Sequence, residues 1–488
     1  MRKIFVFAAL LVGAIMAAPE ADRVSSLPEL NESLPSKHYS GYLNATGGSF
    51  LHYYAVEAIE VSPAEAPVVL WMNGGPGCSS MDGWGYELGP FHFKDYNTTG
   101  PTLKLNPHTW ARIANLVFLE APPGVGFSYR EDGNYTISDS ENARNNYAAV
   151  KYLFAEKFPE WKTNKFFVAG ESYGGIYVPT LAYEIFTHHE LTNFQGILVG
   201  NGVTSHTYDD FRHGDLAFDH GHGLISEEIF TDIIKYCYTN ASRNDDKCNT
   251  QTDMYDLQTG LLNFYGAYYK CFEQPSQRWK HIPSLRRSLE RQAKKSGTTV
   301  NEILGKRGLG VVPPSPPGGQ VPCIDSTTMT TYLNKAEVKA ALHVHSELTW
   351  SICYEINYVE DVFSVVYIWK ALINAGKPVL FYSGNVDRAV PYTGTMAWIA
   401  SGGWNKTHAT TAWNFEDPSY PYGPQVGGLY EKYADHFTFI RVNGAGHMVP
   451  QFRPAAAFFM FKEYMTSINA TSSGEYNAAV RPFALGRN

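Results

Sequence analysis

Short, continuous apolar runs alternate along this chain with longer stretches in which apolar residues return every three or four positions. Such runs mark strands buried on both faces. They occupy residues 66–72, 115–120, 165–169, 196–202, 379–387 and 437–442. Between them, residues 139–158 place Ala143, Tyr147, Val150 and Phe154 at helical spacing, and residues 176–185 read as a helix with Pro179 tolerated in its first turn. Residues 38–43 and 49–56 alternate with a period of two instead, which predicts an antiparallel pair around a turn at 44–48. Strand and helix in succession predict a doubly wound α/β sheet.

From Thr204 the pattern changes. Residues 204–338 are richer in polar and charged positions, with helix-like pieces such as 226–236, and read as a cap inserted over the sheet. The core then divides into 19–203 and 339–488. Within the cap, Arg278, Lys280, Arg286, Arg287, Arg291, Lys294, Lys295, Lys306 and Arg307 are balanced by only Glu290 and Glu302, and residues 312–319 are rich in proline and glycine. That composition over 278–319 suits an exposed, cleavable loop or a solvated linker equally.

Length and composition narrow the class. A chain of 488 residues with 44% apolar and 18% charged residues can bury a large core, and suits one α/β catalytic domain carrying an insertion. A net charge of −8 gives no reason to expect nucleic acid or an anionic membrane surface as partner. Met1, Arg2 and Lys3 followed by the apolar run 4–18 have the form of a secretory leader, placed at 1–18 and too short to be a stable membrane insertion. Asn-x-Ser/Thr sequons at Asn31, Asn44, Asn97, Asn134, Asn240, Asn405 and Asn469 agree with that route. So does an even set of cysteines, Cys78, Cys237, Cys248, Cys271, Cys323 and Cys353, with no Cys-x-x-Cys pair, which favours disulfides whose pairing spacing alone leaves open.

Three loops carry the chemistry. Gly170-Glu171-Ser172-Tyr173-Gly174 sits where a strand turns into a helix, the Gly-x-Ser-x-Gly elbow that exposes a nucleophilic hydroxyl. Asn73-Gly74-Gly75-Pro76-Gly77 follows the 66–72 strand, where glycines let backbone N–H groups approach a ligand; the N–H groups of Gly75 and Tyr173 are the candidate oxyanion donors. Asp387, which the pattern places at the sheet edge, and His447 each follow a later strand. Ser172, Asp387 and His447 therefore occur in the chain order of an α/β-hydrolase triad, with His447 as general base and Asp387 orienting it. The expected fold is that class: a central, mostly parallel sheet with helices on both faces and a large, partly helical cap.

These motifs resemble the serine carboxypeptidase family, including lysosomal members of the cathepsin A type. The likeness rests on residues 71–80, 169–175, 382–391 and 444–450 and covers essentially the whole mature chain. It implies removal of single residues from peptide carboxyl termini through an acyl-enzyme. It assigns the substrate's terminal carboxylate to Asn73, Glu87 and Glu171, with Trp71 beside them. Two adjacent glutamates cannot both ionise cheaply, so one is expected to keep a proton and donate to the substrate, which favours binding in acid. Met448 stands where relatives that favour basic termini carry an acid, and suggests a hydrophobic leaving residue. The family's pairing maps onto Cys78 with Cys353, Cys237 with Cys248, and Cys271 with Cys323. Val390 replaces a cysteine present in some members, so thiol sensitivity is not assumed.

The same resemblance leaves other readings open. Related acyltransferases pass the acyl group to an alcohol, although intact Asn73, Glu87 and Glu171 favour peptides. Relatives also bind and protect glycosidases, and a homodimer is equally open. A metal-dependent hydrolase is suggested only by His206, His213, His220 and His222 among Asp209, Asp210, Asp215 and Asp219, without a His-Glu-x-x-His motif. Neither metal nor other cofactor is expected, and the destination is lysosome, vacuole or extracellular space.

Overall fold

In the computed structural model, which describes residues 18–94, 99–100, 102–260, 262–271, 283–300, 302–303, 323–417, 420–434 and 436–472, the apolar runs form the middle of one 12-stranded sheet. We number the strands along its path β1 (Arg23–Val24), β2 (His38–Asn44), β3 (Ser49–Val56), β4 (Val68–Met72), β5 (Asn115–Leu119), β6 (Phe166–Glu171), β7 (Phe194–Gly200), β8 (Val379–Gly384), β9 (Lys406–Phe415), β10 (Gln425–Tyr433) and β11 (Phe437–Val442). Their order is β1-β2-β3-β5-β4-β6-β7-β8-β11-β10-β9, with Tyr129–Arg130 paired to β3 off this path. The run from β5 to β11 is parallel, and antiparallel pairs close both ends. The carboxyl ends of the parallel strands thus share one edge, where open α/β sheets bind their ligands.

Period-two alternation sends successive residues of each buried strand to opposite cores. Val69, Trp71, Phe167, Ala169 and Leu198 join one cluster, with Phe458 and Phe461 of the carboxyl-terminal helix Pro454–Ser472. Val68, Leu70, Phe166, Val168 and Ile197 join the other, with the helices Asp139–Tyr152, Gly174–His188, Val366–Asn374 and Tyr392–Gly402. Helices therefore cover both faces.

Asp387 follows β8, which lies inside the sheet between β7 and β11, so it sits at the edge that the strands' carboxyl ends form. Three features depart from the sequence pattern. The β9–β10 hairpin has no apolar run to announce it: its outer strand is largely exposed and Gly427 and Gly428 interrupt its inner one. Part of the basic stretch is a helix, Pro283–Ser296, because Leu285, Leu289 and Ala293 recur every four residues and the last two are buried; residues 304–322 lie outside the described residues. Finally, Met329, Tyr332, Leu333 and Val338 pack in the main core, so the far end of 204–338 is continuous with the body. The rest of the cap has a small core of its own around Leu216, Ile229, Ile233 and Tyr255.

Trp398 is fully buried, with its ring 5.4 Å from Trp369 and 5.9 Å from Phe437. Trp398→Ala is expected to destabilise the fold by about 3–5 kcal/mol, read as a lowered urea midpoint; an unchanged midpoint would contradict the packing described.

Candidate active site

The chain leaves β6 at Glu171, and Ser172 takes φ +61°, a left-handed conformation that a serine adopts only when its surroundings hold it there. They do so from three directions. Its N–H donates to Gly200 O at 3.2 Å, and its carbonyl accepts from Gly175 N and Val203 N, both at 2.9 Å. A Cβ on Gly170 would lie 2.4 Å from Met72 O, so β4 can approach the turn only if that residue is glycine. Likewise, a Cβ on Gly74 would lie 2.3 Å from Tyr173 N. The loop after β4 is thereby pressed against the elbow, bringing the candidate donors Gly75 N–H and Tyr173 N–H to one place. Among the described residues neither N–H has a partner within the protein.

Asp387 and His447 meet past β8 and β11. His447 Nδ1 donates to Asp387 Oδ2 at 2.9 Å, which leaves Nε2 for another group. The carboxylate is further fixed by Asn201 Nδ2 at 2.7 Å, Ala389 N at 2.7 Å and Val390 N at 3.2 Å. His447 and Ser172 line one cavity of about 70 Å³, together with Asn73, Gly75, Glu171 and Met448. A second serine, histidine and acid follow the same pattern elsewhere: Ser40 Oγ is 2.9 Å from His52 Nε2, whose Nδ1 is 2.8 Å from Glu120 Oε2. That trio is wholly buried and Ser40 gives its proton to Leu342 O at 2.6 Å, so it has no route to a substrate.

The floor of the cavity is acidic. Asn73 Nδ2 donates to Glu87 Oε1 and Glu171 Oε1, both at 3.0 Å, while Asn73 Oδ1 accepts from Trp71 Nε1 at 2.7 Å and Gly83 N at 3.1 Å. Trp71 thus acts by fixing the amide, and Glu87 sits behind it. Asp82, which the sequence did not single out, completes the cluster: an oxygen from each of Asp82, Glu87 and Glu171 lies within 4.8 Å of the others. Only 1% of Glu87 and 3% of Glu171 is exposed. Burial, then the neighbouring Glu87 charge, pushes Glu171 well above the usual carboxylate range. Asp82 is pushed up for the same two reasons, and Glu87 by burial. The proximity of the two glutamates raises Glu171 and lowers Glu87 against that rise, so the shared proton is favoured on Glu171. The second oxygens, Glu87 Oε2 and Glu171 Oε2, have no partner among the described residues.

Comparison with known proteins decides the family. Residues 28–467 match the profile described as serine carboxypeptidase. The chain belongs to the serine carboxypeptidase family. Among relatives of this family member, serine carboxypeptidase-like 20 of Arabidopsis thaliana is 36% identical over 95% of this chain and 97% of its own. Lysosomal protective protein of Mus musculus is 35% identical over 92% and 94%. A prohormone-processing carboxypeptidase from Saccharomyces cerevisiae shares the fold at a TM-score of 0.65 and 19% identity, over 92% of this chain and 96% of that one. The chain is accordingly a hydrolase of the serine carboxypeptidase type, with an α/β-hydrolase fold.

Other residues singled out from the sequence fall as follows. Disulfides join Cys78 to Cys353, Cys237 to Cys248 and Cys271 to Cys323. Asn31, Asn44, Asn134, Asn240 and Asn405 are exposed; Asn97 and the side chain of Asn469 lie outside the described residues. The four cap histidines do not gather: His206 faces Glu360, His213 faces Asp210, His220 faces Glu227, and His222 reaches Phe218 O and Asn385 O. Tyr265 of the cap was not foreseen; its ring lies 5.3 Å from that of His447 and lines the cavity.

The acid cluster predicts a pH dependence of stability. Carboxyls raised on folding stay protonated where the unfolded chain releases its protons, so their contribution is full in acid and lost as pH rises through the raised values. Glu171→Gln is expected to flatten the fall in thermal midpoint between about pH 4.5 and 7; a slope equal to the parent's would contradict the cluster.

Proposed function

We propose that this family member releases carboxyl-terminal, hydrophobic residues from peptides in acid, through an acyl-enzyme on Ser172. The observation that carries this reading is the Asn73–Glu171 floor in the same cavity as Ser172 and His447. A floor that holds a proton donates to a terminal carboxylate and turns away the interior of a longer chain, which brings no carboxylate there. Ser172 Oγ then attacks the last peptide carbonyl as His447 takes its proton. The oxyanion that develops accepts from the N–H groups of Gly75 and Tyr173. Collapse returns the proton from His447 to the departing amine, and water, deprotonated by His447, frees Ser172. Met448, buried at the cavity wall, offers an apolar surface to the leaving side chain.

The leader, the sequons and the disulfides support a secretory destination, lysosome, vacuole or extracellular space. No helix among the described residues is long and apolar enough to cross a membrane. A second reading, protection of glycosidases, rests on the likeness to the mouse lysosomal protective protein and coexists with peptide cleavage.

Timed release of amino acids from an amino-blocked peptide ending in Phe or Leu tests the proposal. Sequential release from the carboxyl end is expected, faster in acid, and falling by about 10³-fold or more in Ser172→Ala. Parental activity in that variant would overturn the assignment of the nucleophile.

A further inference from the structure

Arg388 follows Asp387 in the chain, yet its side chain turns into the cap and is only 6% exposed. Its Nε and Nη2 donate to Asp219 Oδ1 and Oδ2, both at 2.7 Å, while Tyr255 OH donates to the same carboxylate at 2.5 Å. Asp219 is wholly buried. A buried ion pair adds little stability compared with apolar residues of similar size, because desolvation offsets the attraction. What a two-pronged guanidinium–carboxylate pair does supply is a fixed distance and angle. Here that geometry joins the cap helix Ala217–Gly221 to the loop that presents Asp387.

The cap also grips both catalytic loops by their backbones. Arg388 N donates to Phe264 O at 3.1 Å, Ala267 N donates to Val386 O at 2.8 Å, and His447 N donates to Tyr265 O at 2.8 Å. Residues 264–267 therefore bridge the Asp387 loop and the His447 loop. His222 Nε2, on the same side, lies 2.9 Å from Asn385 O.

We propose that Arg388 is a positioning residue, whose fork onto Asp219 locks the cap against the Asp387 loop and so sets Asp387 against His447. The proposal rests on the triad reading above. It makes the cap a structural part of the proton-transfer machinery rather than a cover alone. The carboxylate floor hangs from β4 and β6 instead, so loosening the fork alters turnover and leaves substrate binding in place.

The experiment compares the full-length parent with Arg388→Lys and with the double replacement Arg388→Leu/Asp219→Leu. Lysine keeps the charge without the fork, and the leucine pair removes both buried charges together. We expect kcat to fall about 10- to 100-fold in both, with KM within about twofold of the parent. The rate at which a small phosphonyl fluoride modifies Ser172 should fall in parallel, because that reagent reads the Ser172–His447–Asp387 alignment without occupying the carboxylate floor. The thermal midpoint of the leucine pair should match the parent's. Parental kcat and phosphonylation rate in the leucine pair would overturn the proposal, as would a raised KM at parental kcat. If neither variant folds, Asp219→Asn, which keeps the side chain's shape but removes the charge and one of the two oxygens that the fork grips, decides by the same two rates: a parallel fall supports positioning and parental values refute it. Retained activity in Ser172→Ala would instead refute the triad reading, so the two failures are distinguishable.

Discussion

Three carboxyl groups are buried with an oxygen of each within 4.8 Å of the others, and the surrounding residues are arranged to make that tolerable. Isolated buried carboxylates are among the least stable groups a fold can contain. Here Asn73 donates to two of them and is itself held by Trp71 and the backbone of Gly83. Protonation does the rest, since burial raises all three groups. The loop after β4 and the elbow after β6 supply opposite sides of the cluster, and their close contact is what the glycines at 74 and 170 permit. A single packing solution thus places Ser172, the backbone N–H groups of Gly75 and Tyr173, and the acidic floor.

The parallel sheet order explains why such distant segments converge. β4, β6, β7, β8 and β11 lie side by side, and each ends at the same edge. Asn73, Ser172, Asn201, Asp387 and His447 each lie just past one of those ends. Asn201 is the inconspicuous member: it donates to Asp387 and accepts from Gly384 N, tying the end of β7 to that of β8. The cap then closes over the same edge, and its segment 264–267 reaches both later loops.

Whatever is encoded within a few neighbouring residues could be read from the sequence. The elbow, the glycine loop and the buried strands are local patterns whose meaning survives without tertiary context. Asp82 was not readable, because an acid in the short helix Met81–Gly85 looks like an ordinary surface residue until folding buries it against Glu87. Tyr265 and Asn201 take their roles from contacts far along the chain. The β9–β10 hairpin lacks apolar runs since one of its strands forms the sheet edge, and Pro283–Ser296 hides a helical stripe inside a conspicuously basic stretch. The family resemblance extended the reading to Glu87 and Glu171, whose pairing no spacing rule would have supplied.

On the proposed reading, a protonated floor recognises the substrate's terminal carboxylate. That recognition is tested most directly by comparing kcat/KM, across pH, for one blocked peptide ending in Phe as the free acid and as the carboxyl-terminal amide. A hydrogen bond to a charged group is worth about 1.5–3 kcal/mol, so the free acid should be preferred by roughly 10- to 150-fold in acid. That preference should shrink as pH rises and the floor ionises. Equal hydrolysis of acid and amide at every pH would contradict the account.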